Sequence, residues 1–431
     1  MVNQYIIQKN ITGLSGEITI PPDKSISHRA IIFGALTSGK VEIKNLSLGE
    51  DCLNTLKIFE KLGVKYNFIS KRDLILDSSN GFSAPKGPLY CGNSGTTTRL
   101  LSGFFASQGF DVELIGDESL SKRPMKRVIE PLSKMGAHIT SNENKLPLKI
   151  KGQNLNGITY HSPIASAQVK SCLLLAGLGA QGKTRIYEPS LSRNHSEIML
   201  EYLEASITTG MDENGYFSEI EKSKLTPKNL EVVGDISSAA FFMVAAAIVP
   251  NSSIIIKNVG INPTRTGIID VFKQAEIDFE LLNQKTICNE PVADIKVNYT
   301  KNIKPFKISG DLIPRLIDEI PVLAVLASQA QGKTIIKDAK DLRNKESDRI
   351  KTIVESFKML DIDIVEFEDG FEVAGKKEIN KEVELETHLD HRLAMSYYIL
   401  GLINNKKTVI NGFDCINTSF PEFIELMEKL F

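Results

Sequence analysis

One pattern of polar and apolar positions recurs six times along the 431-residue chain. A small or acidic polar start leads into about 11 to 14 mostly apolar residues, then a Gly, Asn or Lys turn, then a short β-branched strand. The copies run Ser25–Leu46, Ser94–Ile115, Ser166–Tyr187, Ser237–Val259, Asp318–Ala339 and Asp390–Phe413. Their turns fall at positions 39, 109, 182, 251, 332 and 406, so they are 70, 73, 69, 81 and 74 residues apart. A period of that size is one supersecondary module.

The apolar segments end at turn residues and read as helices. Ala239–Val249 and Val322–Ala330 are apolar nearly all round, which predicts helices buried on most sides. An amphipathic helix follows each strand, as in Asp51–Leu62, Met125–Met135, Arg265–Ala275 and Ser347–Leu360. Further strands follow, such as Val64–Ile69 and Ile362–Phe367. The pattern predicts an α/β fold of six modules with helices inside and sheets outside. Three modules per half give two similar domains, with one crossing near Val233-Gly234-Asp235.

Composition narrows the class. Apolar residues make up 42% and charged residues 24%, so the chain is neither disordered nor fibrous. With 51 Lys plus Arg against 53 Asp plus Glu the net charge is −2, which does not suit a non-specific nucleic-acid binder. Any anion site must be local. The five cysteines are odd in number, widely spaced and without CxxC, so free thiols in a reducing compartment are expected. Met1–Asn10 lacks the basic-then-apolar order of a signal peptide. No apolar run reaches the roughly 20 residues that span a bilayer. The expectation is a cytoplasmic protein without nucleic-acid or membrane partners.

The chemistry concentrates at the starts of the six buried helices, where unpaired N–H groups favour anions. These starts read Asp23-Lys24-Ser25-Ile26-Ser27-His28-Arg29, Gly92-Asn93-Ser94-Gly95-Thr96-Thr97-Thr98-Arg99, Ser166-Ala167-Gln168, Asp318-Glu319 and Asp390-His391-Arg392. Basic clusters lie at Lys122–Lys126 and Arg343–Arg349. Converging, they would clamp multiply anionic small molecules, with carboxylates left for proton transfer. Taken singly, each has a plainer role: Ser and Asp as caps, the basic runs as solvated surface. His388 and His391 form HxxH without a third ligand, so no metal is expected. His28, His138 and His161 read as structural, and Cys91 as a half-buried thiol.

Gly177–Thr184 fits the formula GxxxxGKT, but a phosphate loop follows a strand and opens a helix. Here the order is reversed, and Gln-Gly-Lys-Thr recurs at Gln331–Thr334 between another helix and strand. It is the turn of the repeat, not a nucleotide site.

Over essentially its whole length the sequence resembles the 5-enolpyruvylshikimate-3-phosphate (EPSP) synthase family. The resemblance rests on Pro22–Ala30, Gly92–Thr97, Arg123-Pro124-Met125, Leu191–His195, Gly234-Asp235, Asp318-Glu319, Arg343–Arg349, Asp390-His391-Arg392 and Ser419-Phe420-Pro421. It implies a two-domain inverse (inside-out) α/β barrel, with residues 22–235 as one domain and 1–21 plus 236–431 as the other. The active site would lie in the cleft between them, with Pro21-Pro22 a stiff first crossing. It implies that the substrates are phosphoenolpyruvate and shikimate 3-phosphate, with no metal or other cofactor and a monomeric enzyme. Shikimate 3-phosphate would be held by Lys24, Ser25, Arg29, Ser166, Gln168, Ser192, Asp318 and Lys345. Phosphoenolpyruvate would be held by Lys24, Gly95, Arg123, Gln168, Arg349 and Arg392. Asp318 would take the proton of the 5-hydroxyl, and Glu346 with Lys24 would handle the proton at carbon 3.

Three positions bear on the pattern. Thr418 stands where some members carry Lys, which removes one cation. Ala167 stands where some have a second Ser. Gly95 leaves room for phosphoenolpyruvate and for its analogue glyphosate. UDP-N-acetylglucosamine enolpyruvyl transferase is the nearest rival, but it has Lys-Asn in place of Lys24-Ser25 and a loop Cys that Gly116–Lys122 lacks. A phosphate-binding protein without catalysis fits poorly with intact Asp318, Glu346 and Lys24. An ATPase is excluded by the context of the glycine motif.

Overall fold

A computed structural model describes residues 4–8, 11–375 and 378–431. Residues 1–3, 9–10 and 376–377, which fall within the 1–21 and 236–431 segments, lie outside the described residues. The six buried helices are Lys24–Leu36, Gly95–Ala106, Ala167–Gly177, Ile236–Ile248, Ile320–Ala327 and His391–Ile403. Five begin at a side-chain cap: Asp23, Ser94, Ser166, Asp235 or Asp390 accepts from a backbone N–H of the first turn. The fifth helix starts at Glu319 without such a bond and has Pro321 in its first turn, where a missing N–H costs nothing.

The strands among the described residues form six small sheets. Each is built around the strand that follows a buried helix. In the sheet around Val112–Ile115, Leu89–Tyr90 pairs parallel on one side and Lys145–Lys151 antiparallel on the other, with His138–Asn142 at the edge. The same order surrounds Thr184–Glu188 and Lys333–Ile336. In these three sheets the parallel partner is the strand just before the helix.

Two modules exchange that partner. Ser15–Thr19 precedes the Lys24–Leu36 helix but pairs parallel with Ser253–Gly260 of the fourth module. Leu230–Glu231 precedes the Ile236–Ile248 helix but pairs parallel with Lys40–Lys44 of the first. This exchange makes one half of the chain discontinuous. The sixth sheet has three strands, Gln4–Ile7 antiparallel to Thr408–Asn411 and Val383–Glu386 parallel to it. The chain divides into two compact units, one of 1–21, 234–285 and 291–431, the other of 22–233 and 286–290. Residues 286–290 join the second unit partly through Glu290, whose carboxylate lies 2.7 Å from His195 Nδ1.

Each unit is packed around its buried helices. In the 22–233 unit a Cβ at Gly103 would overlap the backbone carbonyl of Cys172, so glycine lets the second and third buried helices touch. Phe59, Phe82 and Phe104 meet nearby in tilted and edge-on contacts. In the other unit Phe242 meets Phe420 and Phe423. The Gly177–Thr184 segment is a helix end, a turn with Gly182 at φ 79°, and the start of a strand. No helix of the described residues is long and apolar enough to cross a membrane.

Candidate active site

The 22–233 unit carries a cluster at the starts of its three buried helices. Asp23 caps the first helix, and the next residue, Lys24, pairs its ammonium with Asp51. Burial pushes the Asp51 carboxyl up, but the charge and hydrogen bond of Lys24, with the nearby His28 and Arg123, together outweigh it and hold the group below the usual carboxylate value. Arg29 is 3% exposed. Its Nε donates to Ser196 Oγ at 2.7 Å, Nη2 to Ser171 Oγ at 2.8 Å and Nη1 to the Ser25 carbonyl at 3.0 Å. Burial lowers its pKa to about 10, against the pull of Glu197.

Gly95 opens the second buried helix behind the Ser94 cap. A Cβ there would lie 2.9 Å from Arg99 Nη1 and 3.8 Å from Arg123 Nη1, so two cations converge on this glycine. Arg99 Nη1 donates to Gln168 Oε1 at 2.6 Å, and Gln168 Nε2 donates to Thr96 Oγ1 at 3.1 Å. Arg123 Nη2 donates to Asn93 Oδ1 at 2.6 Å, and Asn93 is held in turn by Asp117. Ser166 caps the third helix. Ser192 is 3% exposed and donates its hydroxyl to Glu188 Oε1 at 2.5 Å. Lys24, Ser25, Arg29, Gly95, Arg123, Ser166, Gln168 and Ser192 therefore belong to one unit.

The other unit holds Asp318, Lys345, Glu346, Arg349 and Arg392. Arg349 organises them while only 1% exposed. Its Nε donates to Asp390 Oδ2 at 2.8 Å and its Nη2 to Glu346 Oε2 at 2.6 Å. Its Nη1 is buried without a hydrogen-bond acceptor and lies 3.8 Å from Asp318 Oδ1. Lys345 Nζ is 3.3 Å from the same oxygen, and Arg392 Nη1 donates to the Asp318 carbonyl at 3.0 Å. Burial pushes Glu346 and Asp390 up, but Arg349, His391 and local backbone hydrogen bonds together prevail and hold both carboxyls below their usual range. His391 is driven down to about 4, mainly by burial and next by Arg392, so it is neutral near pH 7.

Several residues to which the sequence assigned no role at the site support these groups. Asp51 signals itself only as an acid in the first turn of an amphipathic helix, ordinary for the dipole. Asp390 caps its helix and also pairs with Arg349. Glu319 accepts from Ser237, and Arg265 Nη2 donates to Ser237 Oγ at 2.5 Å and to Asp235 at 3.2 Å. Thr418 donates to the Cys415 carbonyl at 2.8 Å, so its hydroxyl closes a local turn.

Some expectations need amending. Cys91 is fully buried, not half-buried, and burial lifts its thiol to about 11. His138 is exposed on an edge strand. His28 is buried with Nδ1 2.8 Å from Thr55 Oγ1, and His161 stacks on Tyr187. His388 is exposed, and no group of three metal-ligating side chains occurs among the described residues.

The family profile described as EPSP synthase (3-phosphoshikimate 1-carboxyvinyltransferase) matches residues 8–427. The chain belongs to the EPSP synthase family. It is 47% identical over 422 residues to the 3-phosphoshikimate 1-carboxyvinyltransferase of Petrotoga mobilis, covering 97% of each chain. It is 47% identical over 430 residues to that of Thermodesulfovibrio yellowstonii, covering 99% of each. The solved EPSP synthase of Acinetobacter baumannii is 40% identical and superposes with a TM-score of 0.90 over 99% of this chain and 98% of that one. The enolpyruvyl transferase NikO of Streptomyces tendae shares the fold alone, with 15% identity and a TM-score of 0.78 over 100% and 98%. The fold is thus the two-domain inside-out α/β architecture of this family.

Proposed function

We infer that the protein transfers the enolpyruvyl group of phosphoenolpyruvate to the 5-hydroxyl of shikimate 3-phosphate. Carbon 3 of phosphoenolpyruvate gains a proton while the 5-hydroxyl oxygen bonds to carbon 2 and gives up its own proton. The tetrahedral adduct then loses phosphate and one proton from carbon 3, which yields 5-enolpyruvylshikimate 3-phosphate. The observation that carries the chemistry is the buried, unfilled Nη1 of Arg349, flanked by the carboxylates of Asp318 and Glu346. A cation with a donor to spare beside two carboxylates is an anion seat with proton-transfer groups next to it.

In this reading Arg349 and Arg392 bind phosphoenolpyruvate together with Lys24, Gly95, Arg123 and Gln168. Lys24, Ser25, Arg29, Ser166, Gln168, Asp318 and Lys345 bind shikimate 3-phosphate. Asp318 takes the 5-hydroxyl proton. Glu346 is held ionised by Arg349 in the free protein. An anion on Arg349 shares that cation and raises the affinity of Glu346 for a proton, so substrate arms Glu346 as the donor to carbon 3. After addition the same carboxylate removes the carbon 3 proton, with Lys24 as the neighbouring charge.

The reading uses residues of both units for one substrate pair, so it includes closure of the 22–235 domain and the 1–21 plus 236–431 domain on substrate. A smaller radius of gyration with substrates in solution scattering supports closure, and an unchanged one counts against it. It also includes a cytoplasmic monomer, which sedimentation at working concentration tests for mass. The deciding assay is phosphate release from phosphoenolpyruvate without added metal, offering shikimate 3-phosphate or UDP-N-acetylglucosamine. Release only with shikimate 3-phosphate supports the inference, and release with neither refutes it.

A further inference from the structure

A buried charged cluster lies behind the start of the third buried helix. Lys170 Nζ is 2.6 Å from Glu188 Oε2 and 2.8 Å from Glu197 Oε1, and these three side chains are 1%, 3% and 4% exposed. Arg29, buried in the same unit, feels the charge of Glu197 but gives its hydrogen bonds to Ser196, Ser171 and the Ser25 carbonyl, so Lys170 is the cation that both carboxylates hold. Burying such charges is costly unless each is paired. A core position would be served as well by apolar packing, so the pairing asks for another reason.

Glu188 supplies one. Its Oε1 accepts from the backbone N–H of Ser166 at 3.1 Å and from the hydroxyl of Ser192 at 2.5 Å. Lys170 Nζ, held by the other oxygen of Glu188, donates to the Ser192 carbonyl at 3.3 Å. Ser192 is gripped at its hydroxyl and at its backbone by one ion pair. A serine has a single hydroxyl hydrogen. At Ser192 it goes to Glu188, and what remains are lone pairs, which a phosphate dianion does not accept. Ser166 differs: its Oγ accepts from Val169 N, which leaves its hydrogen to donate, and its side chain is part-exposed where Ser192 is buried.

We propose that Glu188, anchored by Lys170, is a positioning residue of the acceptor's phosphate seat. Glu188 takes the Ser192 hydroxyl hydrogen and fixes the backbone at Ser166 and Ser192, so that Ser166 is the serine that donates to the 3-phosphate. Ser192 then acts through Glu188 and not on the ligand. This rests on shikimate 3-phosphate being the acceptor, and it changes the role that the family resemblance gives to Ser192.

The test is a double-mutant cycle with steady-state kinetics in each substrate and a melting temperature for each variant. Glu188→Gln should raise KM for shikimate 3-phosphate by about tenfold, the scale of a hydrogen bond to a charged group, and leave KM for phosphoenolpyruvate within about twofold. Adding Ser192→Ala to Glu188→Gln should change little more. Ser166→Ala should cost about tenfold in KM for shikimate 3-phosphate in the wild-type background and much less in Glu188→Gln, where the backbone at Ser166 is no longer fixed. Glu188→Asp keeps the charge for Lys170 but draws the carboxylate back from Ser192, so it should recover the melting temperature and not the KM. It also carries the test if Glu188→Gln does not fold. An equal Ser192→Ala penalty with and without Glu188→Gln would make Ser192 a direct phosphate donor and overturn the proposal. So would equal changes in both KM values, or wild-type KM in Glu188→Asp. A wild-type protein that does not turn over shikimate 3-phosphate would instead overturn the functional reading beneath it.

Discussion

Arg349 and Asp390 form a doubly hydrogen-bonded ion pair, with Nε to Oδ2 at 2.8 Å and Nη2 to Oδ1 at 3.3 Å, in surroundings where neither side chain is more than 1% exposed. Asp390 also caps the helix that presents Arg392. One carboxylate thus fixes two of the cations assigned to phosphoenolpyruvate. Asp390→Asn leaves Arg349 charged, buried and short of a counter-ion. The expected cost is about 3–5 kcal/mol of stability. Denaturant unfolding should register it together with a raised KM for phosphoenolpyruvate. A stability loss below about 1 kcal/mol would mean that the pair is not sequestered as described.

Asp318 and Glu346 are proposed to move protons, so their amide variants should hurt turnover more than binding. Asp318→Asn and Glu346→Gln should each lower kcat by about 10²–10⁴-fold. Dissociation constants for shikimate 3-phosphate, read by calorimetry, should shift far less. Glu346→Gln also frees Arg349 Nη2 from its 2.6 Å partner, so a modest change in phosphoenolpyruvate affinity is expected with it. Matching losses in kcat and affinity would count against proton-transfer roles.

The repeat was legible because it is written in period: apolar helices, turn residues and β-branched strands recur at nearly even spacing. The side-chain caps Asp23, Ser94, Ser166 and Asp390 stand at the starts where a polar residue precedes an apolar run. What was not legible is long-range. The swap of Ser15–Thr19 and Leu230–Glu231 between sheets joins segments about two hundred residues apart, and strand pairing leaves no local mark. Lys170 looks like a charged interruption of an apolar helix, and nothing near it in sequence says that Glu188 and Glu197 fold over it. Arg29, Arg123 and Arg349 were visible as cations, but Asn93, Ser171 and Asp390, which orient them, resemble ordinary caps and turn residues.

Acid should unfold this protein through named groups. His28 and His391 are driven down to about 3 and about 4, mainly by burial. The unfolded chain protonates each near 6.5, while the folded chain refuses the proton until the lower value, so stability is lost as pH falls below about 6.5. Asp51, Glu346 and Asp390 are held below their usual values by paired cations, so their contribution is present above the unfolded carboxylate values and lost as pH falls through the folded ones. Both sets act in the same direction. Melting temperature should fall monotonically from pH 7 to pH 4, and NMR titration should show neither histidine protonating near 6.5. A histidine that titrates normally in the folded protein would remove it from this account.

Gly95 is the position where the smallest change should have the most selective effect. Gly95→Ala puts a methyl group 2.9 Å from Arg99 Nη1, tighter than van der Waals contact. The helix backbone at its start is fixed by the Ser94 cap, so the guanidinium must give way. Arg99 Nη1 is also the donor to Gln168 Oε1 at 2.6 Å, so its retreat releases the Gln168 amide. Gln168 and Gly95 both belong to the proposed phosphoenolpyruvate seat, whereas Ser166 and Glu188 are untouched. The expected result is an increase of about tenfold in KM for phosphoenolpyruvate, a smaller rise for shikimate 3-phosphate, which Gln168 also holds, and a melting temperature near wild type, since one hydrogen bond to a charged group is at stake. Inhibition by the phosphoenolpyruvate analogue glyphosate should weaken in parallel. A variant with unchanged KM for phosphoenolpyruvate would show that Arg99 can swing aside without moving Gln168, and would detach Gly95 from that seat.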